Sequence, residues 1–540
     1  MRKARTQVTR TCLDNGVRVI TEAMAGVPSV TLGLWVENGS RYEERRQAGI
    51  SHYLEHMFFK GTERRTAPQI AEEFDAVGGV LNAFTGKEYT CYFGKVLSEH
   101  LPIAEDILAD IFLHSRFDPQ EIDRERNVIL QEISQVEDTP DDYVHDLFNL
   151  RFWPEHPLSF PVCGRIETVQ SFGQQDFRDF IAARYRPDRL IIAAAGNLEH
   201  ARVVEWAARE FGGLQGRAHV TDGRLPVASR GVSYIEKALE QVHLCLGTPG
   251  ISQSAEERYA AYLLNTALGG GMSSRLFQEV REKRGRAYSV YSFLSSYFDA
   301  GYVGIYVGTS AEWVEEVVAI ILSELKVLKK EGLRPDELAR VKNQLKGNLL
   351  LGLETSDNRM SRIAKNEIYF GADVTPQEVA ARIDATTNDE IIALAHLLLR
   401  PEAMAVTLLG DLKGRTVGDE LLSQLAGVLR SSMRPEDVVC RLGGEEFAVV
   451  MSGCGAVDAF RAAERVGSRL AEVDFPAVGK LTVSIGIAHS PEHGMNPREL
   501  AACAEAAMMT AKAQGKHRVV LYAEDETQRP DSPPDTRDTR

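Results

Sequence analysis

The chain has 540 residues, too many for one compact core, and at ordinary domain sizes it predicts about three or four domain-sized units. Its composition, with 44% hydrophobic and 26% charged residues, excludes collagen, a coiled coil and wholesale disorder. Its net charge of −15 is opposite in sign to the surface of a general nucleic-acid binder, so we expect no nucleic-acid partner.

The sequence predicts neither a membrane span nor a disulfide framework. No apolar run reaches the roughly eighteen residues that a membrane helix needs, and the basic N-terminal stretch lacks the apolar segment of a secretory signal. Seven cysteines are scattered without a CxxC pair, which also disfavours a cysteine-ligated zinc. We therefore expect a cytoplasmic protein with no membrane partner.

The predicted elements of residues 1–215 mix strands and helices. Runs of β-branched residues beside turn signals predict strands, and apolar residues at helical spacing predict helices. The segments are GVRVITEAM and VTLGLWVENGS for strands, and AGISHYLEHMFF, APQIAEEFDAVG and residues 119–136 for helices.

A second half, residues 233–412, repeats this order after a linker at residues 216–232 that is rich in glycine and polar residues. In both halves a strand precedes a loop and a helix, and a glycine-containing segment then leads into aromatic-rich strands. We interpret the two halves as a diverged duplication with an α+β fold.

Residues 413–522 predict a third unit of a different kind. Its order is helix, hairpin, helix, strand, helix and strand. Residues 523–540 are charged and proline-rich, and we predict that they are disordered.

The most informative motif is His52-Tyr53-Leu54-Glu55-His56, which lies in a segment with a helical pattern. Residues four apart share one face of a helix, so His52 and His56 can offer two imidazoles to one ion. Glu55 borders that face and can act on a water at the open position of the ion. This HxxEH order is the inverse of HExxH. The alternative is an amphipathic helix with two surface histidines.

A catalytic zinc needs a third protein ligand from another element, preferably a carboxylate. The predicted helix ERNVILQEISQVED offers Glu125 and Glu132, which are seven residues apart and therefore lie on one face. Taken in isolation, such an acidic pair is better explained as two solvated surface glutamates. The helix alone leaves both interpretations open.

Four motifs follow one another in the first 412 residues: GISHYLEHMFFKGT, GGVLNAFTGKEYTCYF, ERNVILQEISQVEDTPDD and LGGGMSSRLFQEVREKRGRAYSVYS. Together they resemble the inverzincin peptidases of the pitrilysin family, most closely the branch that contains mitochondrial processing peptidase. The resemblance covers about residues 8–412. It implies a zinc metalloendopeptidase built from two homologous α/β-roll domains, with antiparallel sheets flanked by helices. It also implies peptides or unfolded polypeptides as substrates, and a homodimer.

The resemblance implies a role for each residue of the metal site. His52, His56 and Glu132 are the implied ligands of one zinc ion per chain. Glu55 is the implied general base. Glu125 is implied as a supporting residue that orients the site.

The same resemblance implies four residues that contact the substrate. The strand that holds Asn82 and Ala83 pairs with the peptide backbone by strand addition. Arg281 and Tyr288 match a pair that reaches the peptide near the metal, where Tyr288 can donate to a developing oxyanion. The alternative for Tyr288 is a strand aromatic within a core.

The third unit carries the motifs VGDELLSQLAGVLR, RPEDVVCRLGGEEFAVVM and LTVSIGIA. These resemble a GGDEF domain, the diguanylate cyclase fold. The resemblance implies a nucleotide site in which Glu445 holds a divalent cation, and a product-inhibition motif at Arg434 and Asp437. The opening strand of a complete domain is absent, so we expect an incomplete domain: a degenerate regulatory or dimerisation module, or a passenger left by gene fusion. Binding of cyclic di-GMP is a hypothesis based on Arg434 and Asp437.

Two other functions stay open. One is a non-catalytic partner subunit of a peptidase complex, although the usual marker of such a subunit is a broken zinc motif. The other is nucleotide signalling, as a diguanylate cyclase or a cyclic di-GMP-binding protein. The missing opening strand argues against the second.

Overall fold

The structure is a computed structural model that describes residues 8–217, 224–412, 417–443, 446–473 and 480–523. The chain divides between Asp411 and Leu412 into two compact units. Among the described residues, every helix is too short or too polar to cross a membrane.

The first unit begins with a six-stranded sheet. Its strands are β1 (Val8–Cys12), β2 (Arg18–Ala23), β3 (Ser29–Val36), β4 (Val80–Thr85), β5 (Thr90–Leu97) and β6 (Leu190–Gly196). They lie in the order β1-β2-β6-β3-β5-β4, so β4 forms one edge. All neighbours are antiparallel except β2 and β6, which are parallel.

Helices of the same half cover one face of this sheet. They are α1 (Ile50–Met57), α2 (Ala67–Asp75), α3 (Leu101–His114), α4 (Pro119–Asp138), α6 (Ile166–Ser171), α7 (Gln174–Arg184) and α8 (His200–Phe211). Helix α5 (Pro140–Phe152) belongs to the same half but packs elsewhere. Val30, Leu32 and Leu34 alternate along β3, and their side chains point into this core, where Tyr53 and Leu54 of α1 are fully buried.

The C-terminal half of the first unit has a five-stranded sheet. Its strands are β7 (Gly231–Glu236), β8 (Val242–Pro249), β9 (Ala287–Ser296), β10 (Gly301–Thr309) and β11 (Ala405–Gly410). The order is β7-β11-β8-β10-β9, and the β7 and β11 pair is parallel while the others are antiparallel. Its helices are α9 (Arg258–Gly269), α10 (Val314–Glu331), α11 (Pro335–Gly352), α12 (Ser356–Phe370), α13 (Pro376–Ala385) and α14 (Asn388–Leu398).

The two halves exchange a helix. Helix α12 of the C-terminal half packs on the second face of the N-terminal sheet, where Met360 is buried against Trp35. Helix α5 of the N-terminal half packs on the C-terminal sheet, where Phe148 and Phe152 are buried against Tyr302. Each sheet is therefore completed by a helix from the other half, and residues 8–217 and 224–411 share one interlocked body.

Glycines make room for both exchanged helices. A Cβ atom on Gly33 of β3 would lie 2.8 Å from Sδ of Met360, and one on Gly247 of β8 would lie 2.5 Å from Cζ of Phe148. Both distances are shorter than carbon and sulfur atoms tolerate, so any larger residue would push the docked helix away.

Buried ion pairs accompany the exchange. The carboxylate of Glu22 on β2 accepts hydrogen bonds from Arg359 at 2.5 Å and from Arg362 at 3.1 Å, both on α12. Glu367, also on α12, accepts from Arg10 of β1 at 2.8 Å. Because these carboxylates are almost fully buried, their guanidinium partners compensate a charge that would otherwise be costly.

The second unit has the order of elements that the sequence predicts. Its helices are α15 (Val417–Ser432), α16 (Ala456–Glu472) and α17 (Pro497–Ala513), and its strands are β12 (Val438–Gly443), β13 (Glu446–Val450), β14 (Ile485–Ile487) and β15 (Val519–Leu521). The described strands form two separate pairs, β12 with β13 and β14 with β15. The last described strand before α15 is β11, which is paired with β7 and β8 in the first unit.

The predicted linker and tail lie partly outside the described residues. Residues 216–217 and 224–230 contain neither helix nor strand, and β7 begins at Gly231, two residues before the predicted start of the second half. The predicted disorder of residues 523–540 falls outside the described residues except for residue 523.

The exchange predicts that a substitution in one half destabilises the other. Replacing Phe148 with Ala removes a fully buried ring from the C-terminal core, and we expect the free energy of unfolding to fall by about 3–5 kcal/mol. Hydrogen exchange should show faster opening of β8 and β10, although Phe148 belongs to the N-terminal half. Leu397→Ala, at a position that is 56% exposed, is the control. Unchanged protection in β8 and β10 would contradict the exchange.

Candidate metal centre

Helix α1 begins at a buried acidic cap. Gly49 precedes the helix with φ +95°, and a Cβ there would lie 2.7 Å from Cα of Gly164, so the position requires glycine. The carboxylate of Glu43 accepts hydrogen bonds from the backbone N–H of Gly49 at 2.7 Å and of Ser51 at 2.9 Å. These bonds fix the first turn of the helix that carries the HxxEH motif.

The cap has an unusual protonation equilibrium. Burial raises the pKa of Glu43 to about 7, although the two backbone donors favour the charged carboxylate. Glu43 is an essential part of the local structure that the sequence analysis missed. An acidic residue shortly before the Gly at the start of a helix is the signal that points to it.

His52 and His56 of α1 converge with Glu132 of α4. The Oε2 atom of Glu132 lies 3.7 Å from Nε2 of His52 and 3.6 Å from Nε2 of His56. Ligand atoms bound at about 2.0–2.1 Å to a tetrahedral zinc stand roughly 3.4 Å apart, so the spacing suits one ion. Among the described residues, these three form the single group of histidine, cysteine and acidic side chains close enough to share a metal.

A carboxylate behind the cluster orients His56. Oε2 of Glu125 lies 3.1 Å from Nδ1 of His56, and Oε1 of Glu125 lies 2.7 Å from Nζ of Lys60. A hydrogen bond at Nδ1 leaves Nε2 of His56 free to face Glu132. Burial would raise the pKa of Glu125, but the hydrogen bonds with His56 and Lys60 outweigh it, so the pKa is lowered and the carboxylate stays charged.

The two histidines differ in their electrostatics. Burial and the neighbouring His56 lower the pKa of His52 to about 4, so its imidazole is neutral at pH 7, which is the form that binds a metal. For His56, burial lowers the pKa, but the hydrogen bond to Glu125 and the charge of Glu132 raise it by more than burial lowers it. The pKa of His56 is therefore raised. No described residue hydrogen-bonds to Nδ1 of His52.

Glu55 lies between the two histidines in sequence, and its carboxylate is close enough to His56 and Glu132 for their charges to act on its pKa. No described residue hydrogen-bonds to its buried Oε2 atom. Burial raises its pKa, while Thr85 and the charge of His56 act in the opposite direction. A carboxylate with a raised pKa and a free oxygen is suited to accept a proton from a water beside the cluster.

Asn82 and Ala83 lie on the exposed edge of the N-terminal sheet. β4 pairs with β5 on one side, and no described strand pairs with its other side. The side chain of Asn82 accepts a hydrogen bond from the N–H of Ala83 at 2.8 Å. Thr85, at the end of β4, donates to the carbonyl of Ser51 in α1 at 3.5 Å, so this edge runs beside the helix of the metal centre.

Arg281 and Tyr288 contact each other in the C-terminal half. Nη1 of Arg281 donates to the carbonyl of Tyr288 at 2.7 Å, and the guanidinium lies 4.9 Å from the centre of the Tyr288 ring. Tyr288 is 76% exposed, which excludes the core alternative for this residue. Within the described part of the chain, neither residue has a hydrogen bond or ion pair to the His52, His56 and Glu132 cluster.

The candidate nucleotide residues lie in the second unit. Arg434 and Asp437 are in the loop between α15 and β12, and the carboxylate of Asp437 accepts a hydrogen bond from the N–H of Arg434 at 2.9 Å. Glu445 lies outside the described residues.

Comparison with protein families identifies both units. The model for insulinase, peptidase family M16, matches residues 18–165, and the model for the peptidase M16 inactive domain matches residues 171–345. The model for the diguanylate cyclase GGDEF domain matches residues 408–518.

Two curated relatives match the chain over most of their own length. The uncharacterized zinc protease YmxG of Bacillus subtilis is 44% identical over 388 residues, which are 72% of this chain and 94% of the relative. An uncharacterized zinc protease of Streptomyces coelicolor is 43% identical over 418 residues, covering 76% of this chain and 90% of the relative.

Solved structures with the same fold support the assignment of the architecture. A protease from Helicobacter pylori has a TM-score of 0.70 at 20% identity and covers 75% of this chain and 100% of its own. The peptidase M16 inactive domain from Pseudomonas fluorescens has a TM-score of 0.71 at 21% identity, covering 75% and 98%. The fold class predicted from the sequence is confirmed.

The geometry predicts that Glu125 controls metal affinity without binding the metal. We expect Glu125→Ala to weaken zinc binding by about 10- to 100-fold, because His56 loses the partner that orients its ring. Competition with a chromogenic chelator measures the affinity. Asp123→Ala, on the same helix with a side chain that is 71% exposed, is the control and should bind zinc normally. Equal affinity in both variants would remove Glu125 from the site.

Proposed function

The chain belongs to the M16 family of peptidases, and we propose that it is a zinc metalloendopeptidase that cleaves peptides or unfolded polypeptides. The observation that carries this proposal is the convergence of His52, His56 and Glu132 beside Glu55, whose Oε2 atom has no hydrogen bond from any described residue. This set provides three protein ligands and a general base, which is what hydrolysis of a peptide bond at a single zinc requires.

In the proposed site, His52, His56 and Glu132 hold the zinc ion and Glu125 orients His56. When bound, zinc supplies a Lewis acid that lowers the pKa of a water and polarises the scissile carbonyl. The neutral state of His52 at pH 7 supports its assignment as a ligand. The names of the curated relatives also support zinc as the metal.

Glu55 moves the protons of the reaction. Its free oxygen accepts a proton from the attacking water, and the same carboxyl group then donates it to the amine of the leaving peptide. The pKa of Glu55 is raised by burial, so the group is better matched to both roles near neutral pH than an exposed glutamate.

The substrate binds in an extended form along β4. The open edge at Asn82 and Ala83 offers backbone groups to a peptide, which adds as a further strand. An extended segment of this kind is available in short peptides and in unfolded chains, and rarely on the surface of a folded protein.

Tyr288 of the second half has an exposed hydroxyl to which no described residue hydrogen-bonds. This hydroxyl can donate to the oxygen of the scissile carbonyl as negative charge develops there. Arg281 holds the backbone of Tyr288 by donating to its carbonyl oxygen.

A non-catalytic partner subunit is the less favoured alternative, because the complete set of ligands and the base are present and close together. For the second unit we propose a regulatory or dimerisation role without cyclase activity. The missing opening strand argues against cyclase activity, because one carboxylate rarely assembles a two-metal site for phosphoryl transfer. The resemblance of the first unit to a peptidase family supports a homodimer as a further part of the proposal. Binding of cyclic di-GMP by the second unit is a hypothesis that rests on the Arg434 and Asp437 motif alone.

The proposed mechanism predicts that Glu55→Gln retains zinc but loses activity by about 10²- to 10⁴-fold, because the amide cannot accept the proton of the water. Cleavage of a quenched random-peptide pool at matched zinc content measures the loss. Glu99→Gln, whose side chain is 74% exposed, serves as the control. His56→Ala should instead lose zinc on dialysis. Full activity of Glu55→Gln would overturn the mechanism.

A further inference from the structure

Glu88 is a buried carboxylate to which both halves of the first unit donate hydrogen bonds. It lies in the turn between β4 and β5 and is 3% exposed. Its oxygens accept from Nη1 of Arg41 at 2.6 Å and from the hydroxyl of Tyr369 at 2.9 Å. They also accept from the N–H of Phe298 at 3.0 and 3.1 Å.

The donors come from three separate parts of the fold. Arg41 precedes the helix of the metal centre, Phe298 lies in the turn between β9 and β10, and Tyr369 is on α12. Arg41 also binds Asp299 with Nη2 at 2.5 Å. Phe298 and Tyr369 of the C-terminal half therefore bind directly to the turn between β4 and β5 of the N-terminal half. Asp299 is joined to the same turn through Arg41.

The same turn is fixed to the loop in front of α1. The N–H of Ser40 donates to the carbonyl of Gly86 at 3.2 Å, and the N–H of Arg41 donates to that of Lys87 at 2.8 Å. A Cβ on Gly39 would lie 2.3 Å from the carbonyl oxygen of Gly86, so glycine permits this close approach. The loop from Gly39 continues to Glu43, the cap of α1.

Glu88 thus stands where β4, the loop before α1 and the C-terminal half meet. We propose that Glu88 is a positioning residue for peptide cleavage: it sets the position of the β4 edge relative to the metal centre and to the half that carries Arg281 and Tyr288. This inference rests on the proposed function. Glu88 has no hydrogen bond or ion pair with His52, His56 or Glu132, so it acts through the edge strand to which the peptide adds.

Removing the charge of Glu88 should leave the fold intact. In Glu88→Gln the side chain keeps its shape, and Arg41 keeps its ion pair with Asp299, so no guanidinium is left buried without a partner. The carboxamide has no charge and one acceptor oxygen in place of two, so its hydrogen bonds with Arg41 and Phe298 are weaker, and its NH2 group can meet Tyr369 only if that hydroxyl accepts instead of donating. The turn is then held less firmly, and the edge of β4 is held less firmly with it.

Glu22 provides a matched control. It is also 3% exposed and also joins the two halves, through Arg359 and Arg362. It lies on β2, which the sheet order separates from β4 by three strands. If Glu88 merely stabilises the contact between the halves, Glu22→Gln and Glu88→Gln should affect catalysis alike.

The test measures kcat and KM of the full-length zinc-loaded protein for one quenched peptide. We expect Glu88→Gln to raise KM about tenfold with kcat within about twofold and with unchanged zinc content, since a displaced edge weakens peptide binding but leaves Glu55 in place. Glu22→Gln should leave KM unchanged. An unchanged KM in Glu88→Gln, or an equal rise in Glu22→Gln, would overturn the inference.

Two further measurements keep the test decisive. If Glu88→Gln does not fold, Tyr369→Phe removes one donor to Glu88 and should raise KM to a smaller extent; no rise would count against the inference. Fluorescence anisotropy of a labelled peptide on the Glu55→Gln background measures binding without cleavage. If the unmodified, zinc-loaded protein cleaved no peptide, the proposed function would be refuted. Equal peptide affinity with and without Glu88→Gln would refute the role of Glu88.

Discussion

The exchange of α5 and α12 between two sheets is the constraint on which the rest of the first unit depends. It also bears on the position of Glu132, the third proposed zinc ligand. Helix α4, which carries Glu132, ends at Asp138, and α5 begins at Pro140. Because α5 is anchored by Phe148 and Phe152 in the C-terminal core, the end of α4 is held from the side of the other half. The distance of 3.6 Å between Glu132 and His56 is thus supported by packing well away from it.

Three buried carboxylates fix local positions around the candidate metal centre. Glu43 caps α1, Glu125 orients His56, and Glu88 joins the β4–β5 turn to the C-terminal half. Each of them accepts at least two hydrogen bonds or ion pairs, which offsets the cost of burying a charge. Such groups fix directions that apolar packing leaves open, because a hydrogen bond constrains angle as well as distance.

Features within one helix were predicted from the sequence better than contacts between residues far apart in the chain. His52 and His56 are four residues apart on a helix, so their convergence follows from helical geometry alone, whereas Glu132 required the resemblance to a family. The helix predicted for residues 119–136 extends from Pro119 to Asp138. The exchange of α5 and α12 was not predicted, because an amphipathic pattern indicates which face is apolar and not which sheet covers it. Glu43 was missed because its main partners are backbone N–H groups, which leave no pattern in side-chain types. Glu88 was missed because its donors, Arg41, Phe298 and Tyr369, are far apart in the sequence.

The sites at Gly33 and Gly247 bear on whether the two halves need a continuous chain to stay together. Each opens a socket in one sheet for a side chain of the opposite half, Met360 in one and Phe148 in the other. Each sheet packs against a helix of the other half, so the two halves are held together by packing as well as by the peptide chain that connects them. A chain nicked within residues 216–232 would remain a single folded body, and the two fragments, produced separately, would have to find each other before either could complete its own core. The first unit is therefore better regarded as an intramolecular heterodimer than as two domains in series.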